Sequence, residues 1–402
     1  MTLRRSALLA LLTVFTGALS PGVAQEAAEF RLSDGDTIRY SYTPLPQDTP
    51  RKKSFLKRIV DYFGESTTDR TFDKKIDFTF AGGPSYSKST SLGIGVLAAG
   101  LYRLDRTDSI TPPSDVSLFA NVSITGFYSI GLSGNNIFAN NKQRVIYNVT
   151  FASAPRDFWG IGYDNALHNE VSTYSEKRIM VDARYLRRVL PNTFVGALVN
   201  FDYTRGIRFS KPEYLAGEGS QYTATGIGLI VEYDSRDFIP NPFKGVYVSL
   251  QNTGFPKGLG NCGKTLWQTT FTADAYQKVW KGGILAADLY AEFNSDGTPW
   301  PMLARLGDNQ RMRGYYLGRF TDNNMITFQV ELRQQIWRRI GGVVWGGAGN
   351  VFHTFDKFRW DQTLPNYGLG LRWELKKRVN VRIDYGFGKE TNSFLLSINE
   401  AF

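Results

Sequence analysis

Apolar side chains recur at every second position along most of this chain, the spacing of a β-strand with one apolar and one polar face. From Ile76 onward the runs follow one another: Ile76, Phe78 and Phe80, then Val116, Leu118, Ala120, Val122 and Ile124, then Val145, Tyr147, Val149 and Phe151. Val195 to Tyr203, Thr225 to Tyr233, Leu285 to Phe293, Ile326 to Leu332, Tyr367 to Trp373 and Val381 to Phe387 alternate in the same way. The intervening positions are polar or charged, among them Asn200, Asp202, Glu232, Asp234, Asp288, Glu292, Gln329, Glu331, Arg333, Arg372, Arg382 and Asp384. Tyr, Trp and Phe gather at strand ends, where a membrane barrel carries its interfacial girdles. A soluble sandwich also alternates, but it rarely sustains so long a succession with aromatic ends. The pattern predicts an all-β, transmembrane antiparallel β-barrel.

Short turns, such as Leu190-Pro191-Asn192, Lys281-Gly282-Gly283 and Arg338-Arg339-Ile340-Gly341, alternate with long segments around 154–176, 206–221 and 294–324. Short turns inside and long loops outside are the habit of outer-membrane barrels. At roughly 20 residues per strand and connection, the region 76–402 holds about sixteen strands. Ahead of it, residues 1–24 read as a signal peptide: Arg4 and Arg5, a short apolar run from Ala7 to Leu19, and small residues near Ala24. That run is shorter than the roughly 20 apolar residues a spanning helix needs. Residues 25–75 form a short periplasmic segment in which Phe55, Leu56, Ile59, Val60 and Phe63 have the spacing of an amphipathic helix. Such a helix would lie on the inner leaflet, plug the barrel mouth or pack at the domain edge.

Composition adjusts this picture only slightly. Aromatic residues make up 14% of the chain and 40 residues are Gly, while mean hydropathy is slightly negative, as alternation requires. The formal charge of +10 raises the question of a nucleic-acid or anionic-lipid partner. The basic residues are scattered, however, with no block longer than Arg51-Lys52-Lys53. They read as lumen, turn and loop charges, with outer-membrane lipid as a partner and no nucleic acid. The single cysteine, Cys262, excludes an intrachain disulfide and reads as an exposed loop thiol. Two histidines, His168 and His353, leave little for a metal centre. Gly93-Ile94-Gly95 and Gly368-Leu369-Gly370 lie within alternating strands, not at strand-to-helix turns, so no cofactor motif survives. The chain ends on Phe394, Leu396, Ile398 and Phe402, apolar at even positions except for Glu400. This pattern resembles the C-terminal signal read by the outer-membrane assembly machinery.

Four segments resemble the bacterial surface antigen family, the BamA/TamA-like superfamily of outer-membrane barrels. They are Arg311-Met312-Arg313-Gly314-Tyr315, the stretch Asp234-Ser235-Arg236-Asp237 through Pro242, Phe243 and Gly245, the run Val343 to Phe352, and Tyr367 to Phe387. The resemblance spans about Ile76 to Phe402. It implies that the loop carrying Arg311, Arg313, Gly314 and Tyr315 folds back into the lumen, with Arg313 held by Glu331. A planar guanidinium suits such a pin, because it meets a carboxylate with defined geometry. Where the family usually places an Asp in the next strand, this chain has Gly347, and Asp384 is the substitute partner. A second departure is that about 50 residues precede the barrel, so the chain is expected to resemble members without N-terminal periplasmic domains.

The implied function is insertion or translocation of a protein or lipid client at the bacterial outer membrane. A passive, porin-like channel is the first alternative, motivated by the charged inward positions. An acyl hydrolase is a remote one, resting on His168 and Asn169 with Ser172 and Ser175 nearby. The leading expectation is a protein that is not an enzyme.

Overall fold

The computed structural model describes residues 28–31, 37–40, 71–87, 90–108, 111–239, 241–376 and 378–402. The expected signal peptide and amphipathic helix lie outside these residues. Two short strands, β1 (Ala28–Arg31) and β2 (Thr37–Tyr40), pair with each other as an antiparallel hairpin. No helix among the described residues is long and apolar enough to cross a membrane, which says nothing of strands.

The barrel begins with β3 (Asp77–Ser87), β4 (Ser91–Tyr102), β5 (Ser114–Ser123), β6 (Tyr128–Ile137) and β7 (Gln143–Phe158). After the short helix α1 (Tyr163–His168) come β8 (Ser172–Leu190), β9 (Thr193–Ile207), β10 (Gln221–Asp234), β11 (Gly245–Phe255), β12 (Leu266–Trp280) and β13 (Gly283–Asn294). A long loop carries the two-residue strands β14 (Ala304–Arg305) and β15 (Thr321–Asp322). The wall then resumes with β16 (Asn324–Trp337), β17 (Ile340–Phe352), β18 (Leu364–Lys376), β19 (Val379–Gly388) and β20 (Thr391–Ile398). Sixteen antiparallel strands form one closed sheet, β3 to β13 and β16 to β20, with β20 returning to β3. Closure removes the free edges that would otherwise leave backbone groups unpaired in lipid.

The two faces separate as the alternation requires. Outward positions are large and apolar: Phe80 is 64% exposed, Ile94 61% and Leu229 69%. Asp274, Asp288, Glu331 and Asp384 are inward and buried. An exposed apolar surface that continues around the whole wall is far larger than a water-soluble monomer tolerates. Tyr185, Tyr233, Trp280, Trp337 and Trp373 stand exposed on the outer face, near the short turns, where they suit the inner-leaflet interface.

The longest connections, 159–171, 208–220 and 295–323, leave from one end of the barrel and the two-residue turns 191–192, 281–282 and 338–339 from the other, which is therefore the periplasmic end. One expectation needs correction. The segment 154–176 is not all loop, because β7 runs to Phe158 and β8 starts at Ser172, leaving 159–171 as the connection. These strands have 16 and 19 residues, well beyond the roughly 9–11 that cross a bilayer. Their outer ends stand clear of lipid, so the apolar face stops while backbone pairing continues.

A basic side chain on the lipid face should be costly. Leu229 sits mid-strand on β10, and Leu229→Arg is expected to lower folding stability in lipid vesicles by about 2–4 kcal/mol. Lumenal Thr272→Arg should cost much less. Urea titration of both variants is the measurement, and equal losses would contradict the assignment of faces.

Candidate functional site

The loop between β13 and β16 does not extend away from the barrel. Leu306, Met312, Tyr315 and Phe320 are buried with Tyr163 and Ala166 of α1 and with Met325, Val351 and Leu364 of the wall. The hairpin β14–β15 is extended by hydrogen bonds from Leu306 N to Phe320 O (2.9 Å) and from Gly318 N to Leu306 O (3.0 Å). Asp308 accepts from the backbone N–H groups of Gln310 and Arg311, which tightens the turn just before the tip. The loop therefore has a small core of its own, and its tip is aimed at the inner wall.

At the tip, Arg313 is fully buried. Its Nη2 donates to Glu331 Oε2 on β16 at 2.6 Å, and its Nη1 to Asp384 Oδ2 on β19 at 3.0 Å. The guanidinium lies 3.7 Å from the centre of the Trp345 ring on β17, so two carboxylates and a π-face surround one cation. The backbone of the tip is held too. Asn366 Nδ2 donates to Arg313 O, and Tyr315 Oη donates to Pro365 O and accepts from Lys389 N, both at 2.7 Å. Gly314 has φ +119°, and a Cβ there would sit 2.8 Å from the Gly386 carbonyl carbon. Loop and strand approach backbone to backbone, which only glycine permits on both sides.

Neighbouring charges extend the arrangement into a network. Arg311 Nε donates to Asp288 on β13 at 2.6 Å, with its guanidinium 4.4 Å from the centre of the Tyr290 ring. Glu331 also accepts from Arg333 Nε at 2.7 Å, and Asp384 from Arg372 Nη1 at 2.5 Å. Arg372 Nε reaches Glu400 Oε2 at 2.7 Å. Arg372 and Arg382 face each other across the β18–β19 pair. That like-charge juxtaposition is unfavourable by itself and is offset by Asp384 and Glu400.

The structure thus brings Arg311, Arg313, Gly314, Tyr315, Glu331 and Asp384 together. Gly347 is close by on β17 opposite Gln329, and a Cβ at that position would overlap the Phe328 carbonyl. The second carboxylate comes from β19 instead. Sequence reasoning missed Trp345, Asn366, the Asp288 partner of Arg311 and the role of Glu400. Glu400 was the one break in the terminal apolar alternation, and that break was the available signal.

The chain end differs from the expected closing strand. Phe394 and Ile398 face outward on β20, but the strand stops at Ile398 and Asn399 takes a left-handed φ of 68°. The next residues turn inward: Glu400 joins Arg372, and the Phe402 ring lies 6.4 Å from that of Tyr276. Phe402 is therefore a lumenal side chain, separated from the outward pair. Leu396 makes the pairing with Tyr86 on β3.

Among the described residues that pairing is the one register partner between β20 and β3, whereas β20 and β19 share eight and β7 and β8 sixteen. β3 also carries Gly82, Gly83 and Pro84. A proline inside a strand marks an edge, since it has no N–H to donate, and this signal went unread in the sequence.

The remaining candidates are not assembled into a site. His168 Nδ1 lies 2.9 Å from Asp164 O at the end of its own helix, and Ser172 Oγ accepts from Lys211 N. Among the described residues no hydrogen bond joins His168 to Ser172 or Ser175. Cys262 is partly buried, not fully exposed, because its Sγ packs 4.0 Å from Met302 Sδ and 3.7 Å from Thr223 O. No three His, Cys, Asp or Glu side chains among the described residues are grouped to hold a metal.

Residues 127–402 match the family model described as the Omp85 superfamily domain. The chain belongs to the Omp85 superfamily. Its barrel resembles BamA from Haemophilus ducreyi lacking POTRA domains 1–3, with a TM-score of 0.54 and 11% identity over 94% of this chain and 89% of that one. It also resembles CdiB from Acinetobacter baumannii (TM-score 0.55, 10% identity, 81% of this chain and 60% of that one). CdiB from Escherichia coli gives a TM-score of 0.57 at 11% identity over 81% of this chain and 62% of that one. The match thus spans about 60% of each CdiB chain. Such low identities speak to fold alone. No curated protein matches the sequence. As an Omp85 barrel, the protein resides in the outer membrane, and the family expectation drawn from the Arg313 segment and the final strands holds.

Truncating Arg313 leaves Glu331 and Asp384 buried without their shared partner. Because Arg333 and Arg372 still pair with those carboxylates, Arg313→Ala is expected to lower stability by about 1.5–3 kcal/mol and to open the loop to trypsin. Arg313→Lys should fall between, because an ammonium lacks the planar fork. Urea titration and limited proteolysis in detergent check this, and a variant as stable and protected as the parent would contradict it.

Proposed function

We propose that this Omp85 barrel aids insertion or translocation of a protein or lipid client at the outer membrane, with the β20–β3 seam as the moving part. The seam's single register pair among the described residues carries this reading. Separating β20 from β3 sacrifices few hydrogen bonds, while any other opening of the wall sacrifices a full ladder. An opened seam presents two strand edges in the bilayer, and an incoming strand that pairs with one satisfies backbone groups which lipid cannot.

In this account Arg313 is a lock, with Glu331 and Asp384 as its partners. It ties the lumenal loop to β16 and β19, so the wall beside the seam stays together while the seam parts. Outer-membrane lipid surrounds the barrel, and the assembly machinery inserts the barrel itself through its terminal strand.

Joining the seam covalently tests the reading. Tyr86→Cys with Leu396→Cys places two thiols on directly opposed residues, a geometry a disulfide tolerates. Oxidised protein in vesicles is expected to lose client insertion, and reduction should restore it. Full activity with the bond formed would sink the proposal.

The rival reading is a passive channel. A polar cavity of about 460 Å³ beside the loop, lined by Arg178, Asp182, Asp202 and Glu292 among others, supports it. Planar-bilayer recording separates the two. The loop-filled barrel is expected to be nearly silent until Arg313→Ala releases the loop, and a large steady conductance of the parent would favour the channel.

A further inference from the structure

The periplasmic mouth carries a feature that the insertion reading does not use. The β10–β11 connection crosses toward the β18–β19 turn, where Arg378 Nη2 donates to Asp237 Oδ2 at 2.7 Å and the Arg378 guanidinium lies 3.9 Å from the centre of the Phe243 ring. Asp237 also accepts from Phe243 N and Lys244 N, which gives this strap a fixed bend. Strap and turns together enclose a cavity of about 370 Å³.

The lining of this cavity is strongly basic. Beside two carboxylates, Glu374 and Glu400, it carries six cations: Arg333, Arg372 and Arg378, which Glu331, Asp384 and Asp237 meet from beyond the lining, and Lys278, Arg338 and Arg339. They arrive from three separate strand pairs, β12–β13, β16–β17 and β18–β19, so the excess is made by the fold and not by a run in the sequence. Behind it, Arg333 and Arg372 are buried, and each retains a guanidinium nitrogen, Arg333 Nη1 and Arg372 Nη2, with no acceptor among the described residues. Arg313, Arg333, Arg372 and Arg382 share three carboxylates, Glu331, Asp384 and Glu400. Arg333 Nη2 donates in addition to the Phe402 oxygen at 2.8 Å, yet the two guanidinium nitrogens stay unmatched, a condition that a buried charge cluster meets only at a cost.

We propose that this cavity binds a phosphate-bearing anion. A phosphate offers several strong acceptors to guanidinium forks, and arginine is the side chain suited to it. The cavity is large enough for a headgroup, and it opens on the periplasmic end of the barrel, at the level of the exposed Trp280 and Trp337. The same chemistry is offered by the headgroup of an inner-leaflet phospholipid or by free phosphate. The proposal stands apart from the seam and from the identity of any client.

Native mass spectrometry of the full chain in detergent tests it, with phosphatidylglycerol, inorganic phosphate and uncharged diacylglycerol as probes. Lys278→Gln with Arg338→Gln is the informative variant, because neither residue belongs to the Arg313 network, and heat-modifiable migration verifies that it folds. The parent is expected to bind phosphatidylglycerol and not diacylglycerol, and the double variant to bind about thirtyfold more weakly. Lipid that inorganic phosphate does not displace identifies the headgroup as the ligand. Phosphate that binds alone and displaces the lipid identifies the free anion. Absence of binding by both anionic probes, or equal binding by parent and double variant, overturns the proposal.

Discussion

A guanidinium buried between two carboxylates and an indole ring is the interaction on which the second half of this barrel depends. An unpaired cation could not stay in that position, because several kcal/mol of lost hydration would expel it. Paired with Glu331 and Asp384 and laid on Trp345, it becomes a point of attachment that reaches β16, β17 and β19 at once. The loop around it can then be long, since its tip is fixed in three directions by chemistry and its body by a small apolar core.

The consequence is an uneven wall. On one side of the bore, loop, strands and the inward-turned chain end share charges through Arg372, Glu400 and Arg333. Immediately beside that network, β20 meets β3 at one register pair among the described residues. A closed barrel normally distributes its hydrogen bonds around the ring and resists opening everywhere. Here resistance is concentrated in β16 to β19 and stops at the seam that adjoins them, which gives the insertion reading its physical basis.

Much of this architecture was legible in the sequence. Period-two alternation specified both faces, and the ratio of chain length to strand length led to sixteen strands, because both are local properties. Arg313 and Glu331 were also legible, through a family pattern of order and spacing. Asp384 as the second partner was legible only as a substitute for the missing family carboxylate, since nothing local says that β19 comes within reach of the loop tip. The inward turn of Phe402 was hidden for the same reason. Its cause is a salt bridge from Glu400 to a strand whose register is set elsewhere. Gly82-Gly83-Pro84 did carry local information about the seam, but a proline in a strand speaks of an edge only once the neighbouring strand is known.

The central claim is that the loop lock stiffens β16 to β19 while the seam remains the weakest line of the barrel. Hydrogen–deuterium exchange of the protein in lipid nanodiscs, read strand by strand, addresses it most directly. Amides of β3 and β20 are expected to exchange far faster than those of β16 to β19. Protection of β3 and β20 equal to that of the locked strands would contradict the account.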